Sequence, residues 1–338
     1  MKRVKGILCM LLICALCTGL AGCGKTDEGI AENNNQSEQI NGTDVVMTVD
    51  DTEITVDEYR YFLAMTAMNT AYTDSNFTGD AASYDWGKIS KDVTEKAKKD
   101  LVSRALIANI AKKNGVESNA DEWAQVETAM QDFENQNGAN LFEATLRTMG
   151  VTTKEGYKKV YEIESLYNKV QEDFAANKSK YIEDETVLMD YKSDELITAQ
   201  HILIMNDSEK HAEPKNVIES VLERAKNGED FNALMTEFNE DPGQTAAGYT
   251  FGKGKMVPEF ESAAFALDYN EISDVVESSY GYHIIKRVVG IAEYEQYVAD
   301  KAEVTENKEI IEKISLENVI EDMNEANAKL EAMQGGEK

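Results

Sequence analysis

The 338-residue chain contains three histidines, His201, His211 and His283, and histidine is the side chain most readily tuned to change charge near neutral pH. His201 stands in AQHILIM and His283 in GYHIIKRVV, apolar runs that predict buried strands. Two readings are open for them. Each imidazole is either a core residue satisfied by its neighbours, or one of a pair that adjacent strands bring together to do chemistry. His211, in EKHAEPK, reads as a surface residue. The four cysteines, Cys9, Cys14, Cys17 and Cys23, all fall within the first 23 residues, so the rest of the chain holds no disulfide and no thiolate metal site. Chemistry downstream is left to imidazoles, carboxylates and hydroxyls.

The first 23 residues, MKRVKGILCMLLICALCTGLAGC, join a basic start (Lys2, Arg3, Lys5) to an apolar run ending in small residues, the pattern of an export signal. The run is short and soon followed by polar sequence, which argues against a spanning helix. Its end, Leu20-Ala21-Gly22-Cys23, resembles the bacterial lipobox. That resemblance implies cleavage before Cys23 and attachment of a lipid to its thiol. Residues 1–22 are expected to be a signal peptide and 23–43 an acylated cysteine with a flexible tether, because GIAENNNQSEQINGT is almost free of apolar groups.

Sixty-three acidic and 34 basic side chains give a formal charge of -29, or -32 without Lys2, Arg3 and Lys5. Such a surface repels phosphate backbones and anionic lipid alike, so no nucleic-acid partner is expected. Any membrane attachment falls to the lipid rather than to a basic patch. Solubility accounts for the acidity more simply than a basic partner does.

The elements that must position the histidines follow from the texture of the chain. VVMTVDDTEIT predicts two short strands around an acidic turn at Asp50-Asp51. A helix opens at Val56-Asp57-Glu58, and helical spacing continues near 90–114, 120–136, 140–149 and 152–177, with no proline before Pro214. Tyr59, Tyr61, Phe62, Met65 and Met68 recur at helical spacing and read as core or as an adaptable apolar surface. From about 196 to 290 all three prolines, all three histidines and many glycines mix with short strands and helices, the signature of a compact α+β domain. Acidic helical periodicity returns over 304–333. The expected fold class is therefore α+β: a mostly helical region over 44–190, an inserted mixed domain over 196–290 and a C-terminal helical segment over 291–338 that packs on the N-terminal helices.

Four motifs in order, AQHILI, NEDPG, AGYTFGKGKMVPEFESAAFAL and EISDVVESSYGYHIIKRV, resemble a parvulin-type peptidyl-prolyl isomerase domain over about 95 residues. With the lipobox and the flanking helices, the chain resembles the extracytoplasmic foldase lipoproteins of the PrsA type, and VVMTVDDTEITVDEY is similar to the chaperone region shared with SurA-like proteins. The resemblance implies a small, mainly antiparallel sheet surrounded by helices. It implies that His201 and His283 are paired catalytic histidines, with Asp241 beside them and the Ser278 hydroxyl in their hydrogen-bond network. It implies that Met256 and Phe260, with Phe251 or Tyr249, line a pocket for the substrate proline. Asp241 reads equally as a turn residue before Pro242. The glycine-rich GGDLG of the family is represented here by Ala247-Gly248-Tyr249, which puts one pocket wall in question.

Isomerisation about a peptide bond must cross about 18 to 20 kcal/mol as resonance is lost. No bond is broken, so no nucleophile, metal or cofactor is expected; an apolar socket and polar groups matched to the twisted amide are. The implied protein is a lipid-anchored foldase at the extracytoplasmic face of a bacterial membrane, acting on Xaa-Pro bonds of unfolded exported chains. Lys210 and Lys215 stand after the first motif without an arginine cluster, which argues against a phosphorylated substrate. The competing reading is a holdase with a weak or inactive isomerase domain. Helix packing leaves both a homodimer and a monomer with a cleft open.

Overall fold

The computed structural model describes residues 40–182 and 196–334. The signal peptide expected at 1–22, the lipidated Cys23, nearly all of the tether and the acidic segment beyond Ile182 lie outside the described residues. No described helix is long and apolar enough to cross a membrane. The chain divides into two units, one running to Tyr167 and resuming at Ala302, the other spanning Asn168–Lys301.

In the first unit, β1 (Val45–Val49) and β2 (Thr52–Thr55) form a hairpin whose turn carries Asp50 at positive φ, 49°. Helices α1 (Val56–Thr73), α2 (Ser90–Lys113), α3 (Ala120–Asn137), α4 (Ala139–Arg147) and α5 (Lys154–Phe174) follow, the last running past Tyr167 into the second unit. The start of α1 is fixed by Glu58, whose carboxylate accepts from Thr55 N and Thr55 Oγ1, both at 2.7 Å. The next residue inward, Asp57, is fully buried and caps α5 from a distance. Its Oδ1 accepts from Thr152 N and Oγ1, both at 2.8 Å, and its Oδ2 from Thr153 N at 2.9 Å and Oγ1 at 2.6 Å.

The expectation of helix from 304 onward is corrected by a strand. Val304–Glu306 is β7, which completes the sheet in the order β2-β1-β7 by pairing Val49 with Val304 and Met47 with Glu306. Local periodicity could not show this, because the reason is a partner some 255 residues away. Asn307 then accepts from Ile310 N at 3.4 Å to start a single turn, α11 (Lys308–Ile311), before α12 (Leu316–Gln334). Helix α12 packs on α4 and α1, and Arg60 joins the three by donating Nε to Gly150 O at 2.9 Å and pairing with Asp322 at 2.6 Å. Tyr59, Tyr61 and Phe62 are core here, while Met65 and Met68 are half-buried.

The second unit is built on a four-stranded antiparallel sheet of β3 (Ile197–Met205), β4 (Tyr249–Phe251), β5 (Val276–Glu277) and β6 (Gly281–Val288), in the order β4-β3-β6-β5. One face packs Ile202, Ile204 and Ile284 against α7 (Pro214–Lys226) and α8 (Phe231–Phe238). The other packs Ile197, Ala199 and Ile285 against α9 (Pro258–Ala266). A separate stack of Phe174, Tyr181 and Tyr294 joins the end of α5, the turn α6 (Lys178–Tyr181) and α10 (Ile291–Lys301), with Tyr294 Oη donating to Tyr181 O at 2.8 Å. Residues 168–182 and 291–301 thus cluster with the mixed sheet, whereas the sequence divides the chain at 196 and 290.

Candidate active site

The two histidine strands are the central pair. Their register sets His201 opposite Ile285 and Leu203 opposite His283. Since side chains alternate across a strand, both imidazoles emerge on the α9 face as diagonal neighbours. Their rings stand 5.4 Å apart at 74°, and Phe260 from α9 presents an edge to each, 5.1 Å from His201 and 5.5 Å from His283. Both histidines are buried.

Asp241 reaches the pair because its two predecessors hold the loop on the edge of β3. Asn239 Oδ1 accepts from Leu203 N at 2.9 Å, Glu240 N donates to Leu203 O at 2.9 Å, and Glu240 Oε2 accepts from Met205 N at 2.8 Å. With those edge groups satisfied, Asp241 Oδ2 stands 3.1 Å from His201 Nε2, close but out of line for a hydrogen bond. Asn239 and Glu240 hold this loop on the strand edge, a placement that sequence reasoning missed. The motif as quoted contains them, yet only the fold tells which of its polar residues serve the strand edge and which faces the site.

Ser278 starts the turn between β5 and β6. Its Oγ accepts from Tyr280 N at 3.1 Å and lies 2.7 Å from His283 Nε2. The hydroxyl also lies 3.5 Å from Gly281 O, a longer contact than the one to Nε2. This arrangement holds Ser278 as an orienting group within a tight turn. Gly281 is required in that turn: its φ is 153° and a Cβ would overlap Ile204 O of β3. Nδ1 of both histidines has no hydrogen-bond partner among the described residues.

The apolar wall is set by a loop and a helix. Glu261 on α9 accepts from Gly254 N at 2.9 Å, Lys255 N at 3.1 Å and Met256 N at 3.3 Å, so that Met256 is carried half-buried against the Phe260 side of the sheet. These backbone bonds also hold the Glu261 carboxyl below its usual range. Glu261→Gln is expected to raise KM for an Xaa-Pro peptide about fivefold with little change in kcat. Steady-state kinetics checks this; an unchanged KM would show that the loop holds without its clamp.

Phe251 lies behind Phe260, ring centroids 6.0 Å apart, and is buried in the core. The shortened segment keeps its backbone function, because Gly248, at φ 80°, passes where a Cβ would crowd Ala199 O at 2.8 Å. Tyr249 is half-buried, with its ring 5.9 Å from that of His201 and its Oη donating to Asp241 Oδ2 at 3.1 Å. His211 stands apart, half-buried and 6.2 Å from the Phe238 ring on the other side of the sheet.

Burial is the main cause that holds both imidazoles neutral. It lowers His201 against the pull of Asp241, and it lowers His283, with help from His201, to about 4. Unfolded histidine titrates near 6.5, so between about pH 6.5 and 4 the unfolded chain binds more protons at His283 than the folded one. Stability is therefore present above pH 6.5 and falls as the pH drops towards 4, by up to about 3 kcal/mol from this residue. Urea midpoints at pH 7 and pH 5 test it: His283→Gln should remove part of the difference, and an equal difference in both proteins would refute it.

Comparison with known proteins gives two family matches, a SurA-like N-terminal domain over residues 1–171 and a PPIC-type PPIase domain over residues 179–289. The foldase protein PrsA of Halalkalibacterium halodurans is 35% identical over 199 residues, covering 55% of each chain. The foldase protein PrsA of Caldanaerobacter subterraneus subsp. tengcongensis is 30% identical over 261 residues, covering 75% of this chain and 76% of that one. The chain spans about half the length of the first curated relatives it matches, 55%, 48% and 56% of them. Among solved structures, the parvulin NmPin of Nitrosopumilus maritimus is 35% identical, covers 28% of this chain and 97% of its own, and superposes with a TM-score of 0.24.

Proposed function

The chain belongs to the PrsA foldase family, and from that premise we propose that it is a peptidyl-prolyl cis-trans isomerase that assists the folding of exported polypeptides. The observation that carries the reading is the buried histidine pair, His201 and His283, set edge-on to Phe260 with Asp241 and Ser278 at its two ends.

The chemistry follows from what the twisted amide needs. As the Xaa-Pro bond rotates, resonance is lost, charge shifts within the amide and the proline nitrogen becomes a better acceptor. Met256 and Phe260 supply an apolar socket for the ring. Ser278 engages Nε2 of His283 and leaves Nδ1 without a partner among the described residues, in a site of low polarity where one hydrogen bond counts for more than in water. Asp241 orients His201 from outside its hydrogen-bond axis. No covalent step is needed, and Ser278, bound into its turn, is held away from a nucleophile's role.

The substrate is an unphosphorylated Xaa-Pro segment. Arg224, a cation on α7, is already paired with Glu229 at 2.6 Å and Glu237 at 3.0 Å, and the acidic balance of the chain disfavours a phosphate. The lipobox ending in Cys23 supports a lipid anchor at the outer face of the membrane. A holdase function would draw on residues other than Tyr59, Tyr61 and Phe62, which are core; Tyr72, exposed at the edge of a cluster with Phe77, Tyr84 and Trp86, is the aromatic surface that favours it.

Refolding of a denatured exported protein whose slow phase is prolyl isomerisation tests the proposal. The slow phase is expected to accelerate in proportion to added protein. Improved yield without acceleration would favour the holdase and count against the isomerase.

A further inference from the structure

Tyr249 stands where this sequence departs from the glycine-rich pattern of the family it resembles, and its phenol enters the polar network. The position is fixed by register: Tyr249 pairs with Ala199, which shares a strand face with His201 two residues on. Its Oη donates at 3.1 Å to Asp241 Oδ2, the oxygen that also stands 3.1 Å from His201 Nε2. Asp241 Oδ1 is held from the other side by Gly243 N at 2.8 Å. Gly243 also makes room for the phenol, since a Cβ there would overlap the hydroxyl.

We propose that Tyr249 is a positioning residue whose hydroxyl restrains the Asp241 carboxylate off the Nε2 axis of His201, so that the carboxylate orients the ring while drawing a proton onto it less than an in-line contact would. The inference rests on reading the histidine pair as the isomerase site. The groups that face His201 are Asp241 from the 239–243 loop, Tyr249 from β4, His283 from β6 and the uncharged Phe260 from α9. Of these, Asp241 is the one that pulls a proton onto the ring, against burial. Removing the phenol frees a lone pair of Oδ2 to align on Nε2, which favours the imidazolium.

The test is Tyr249→Phe in the full chain, with the three imidazoles titrated by NMR and the pH profile of Xaa-Pro isomerisation measured beside it. The His201 midpoint is expected to rise by about half a unit or more, the acid limb of the profile to move up with it, and kcat low on that limb to fall about threefold, with KM nearly unchanged. Gly243→Ala, whose Cβ would overlap the phenol and stand 3.3 Å from Asp241 Oδ1, should move the His201 midpoint in the same direction. A His201 midpoint unchanged in both variants overturns the proposal. Should the wild-type chain fail to accelerate isomerisation, the isomerase reading falls by itself, and the titration still decides whether Tyr249 restrains Asp241.

Discussion

His283→Ala is expected to lower kcat/KM for an unphosphorylated Xaa-Pro peptide about a hundredfold, and His201→Ala about as far, which corresponds to roughly 2.7 kcal/mol of transition-state stabilisation. The reason is that the two rings form one device. They are diagonal neighbours on adjacent strands, each meets the edge of Phe260, and each is oriented at its far end by a separate polar group. Removing either ring leaves its orienting group with nothing to orient and opens the buried face to water. The double variant should then lose little more than either single one, because residues that act as a unit are not additive. Kinetics of the three variants checks this, with far-UV circular dichroism confirming the sheet. Two independent losses that sum in the double variant would contradict a paired site.

Asp57→Asn should be the most damaging near-isosteric change outside the site, costing about 3 kcal/mol or more of stability in the unit that contains it. The carboxylate is fully buried and accepts from two backbone amides and two hydroxyls at the start of α5, all within 2.9 Å. An amide replaces one acceptor oxygen with an NH2 that faces donors. The change removes charge-assisted bonds and leaves buried N–H groups unsatisfied. The backbone of Asp57 is itself tied to the chain before β1, through Asp57 N to Gly42 O at 2.9 Å, so the loss spreads to the N-terminal hairpin. Urea unfolding followed by circular dichroism measures it. A midpoint within error of wild type would show that the cap is dispensable, and isomerase activity is expected to survive in the separate unit.

The parts of the fold legible in the sequence are those set by local pattern. Apolar runs mark β3 and β6, helical spacing marks α1 to α5 within a few residues, and the acidic Asp50-Asp51 dipeptide marks its turn. The candidate site was legible to the extent that short motifs carry it, with His201, His283, Asp241, Ser278, Phe260 and Tyr249 brought together in one unit. What escaped was whatever depends on a distant partner. Val304–Glu306 is a strand because β1 has a free edge, and Asp57 is a helix cap because Thr152 and Thr153 arrive beside it. Glu261 looks like one acid among 63 until its helix places it under three amides of the Met256 loop. Tyr249 reads as an apolar wall because sequence records a ring; the fold records where its hydroxyl goes.

The central claim is that the neutral histidine pair lowers the barrier to rotation about a prolyl bond. It is tested most directly by following cis-to-trans conversion of a short unphosphorylated Xaa-Pro peptide with the wild-type chain and the His201→Ala/His283→Ala double variant side by side. The account predicts acceleration that is first order in wild-type protein and reduced about a hundredfold in the folded double variant. Equal rates with the two proteins would contradict it.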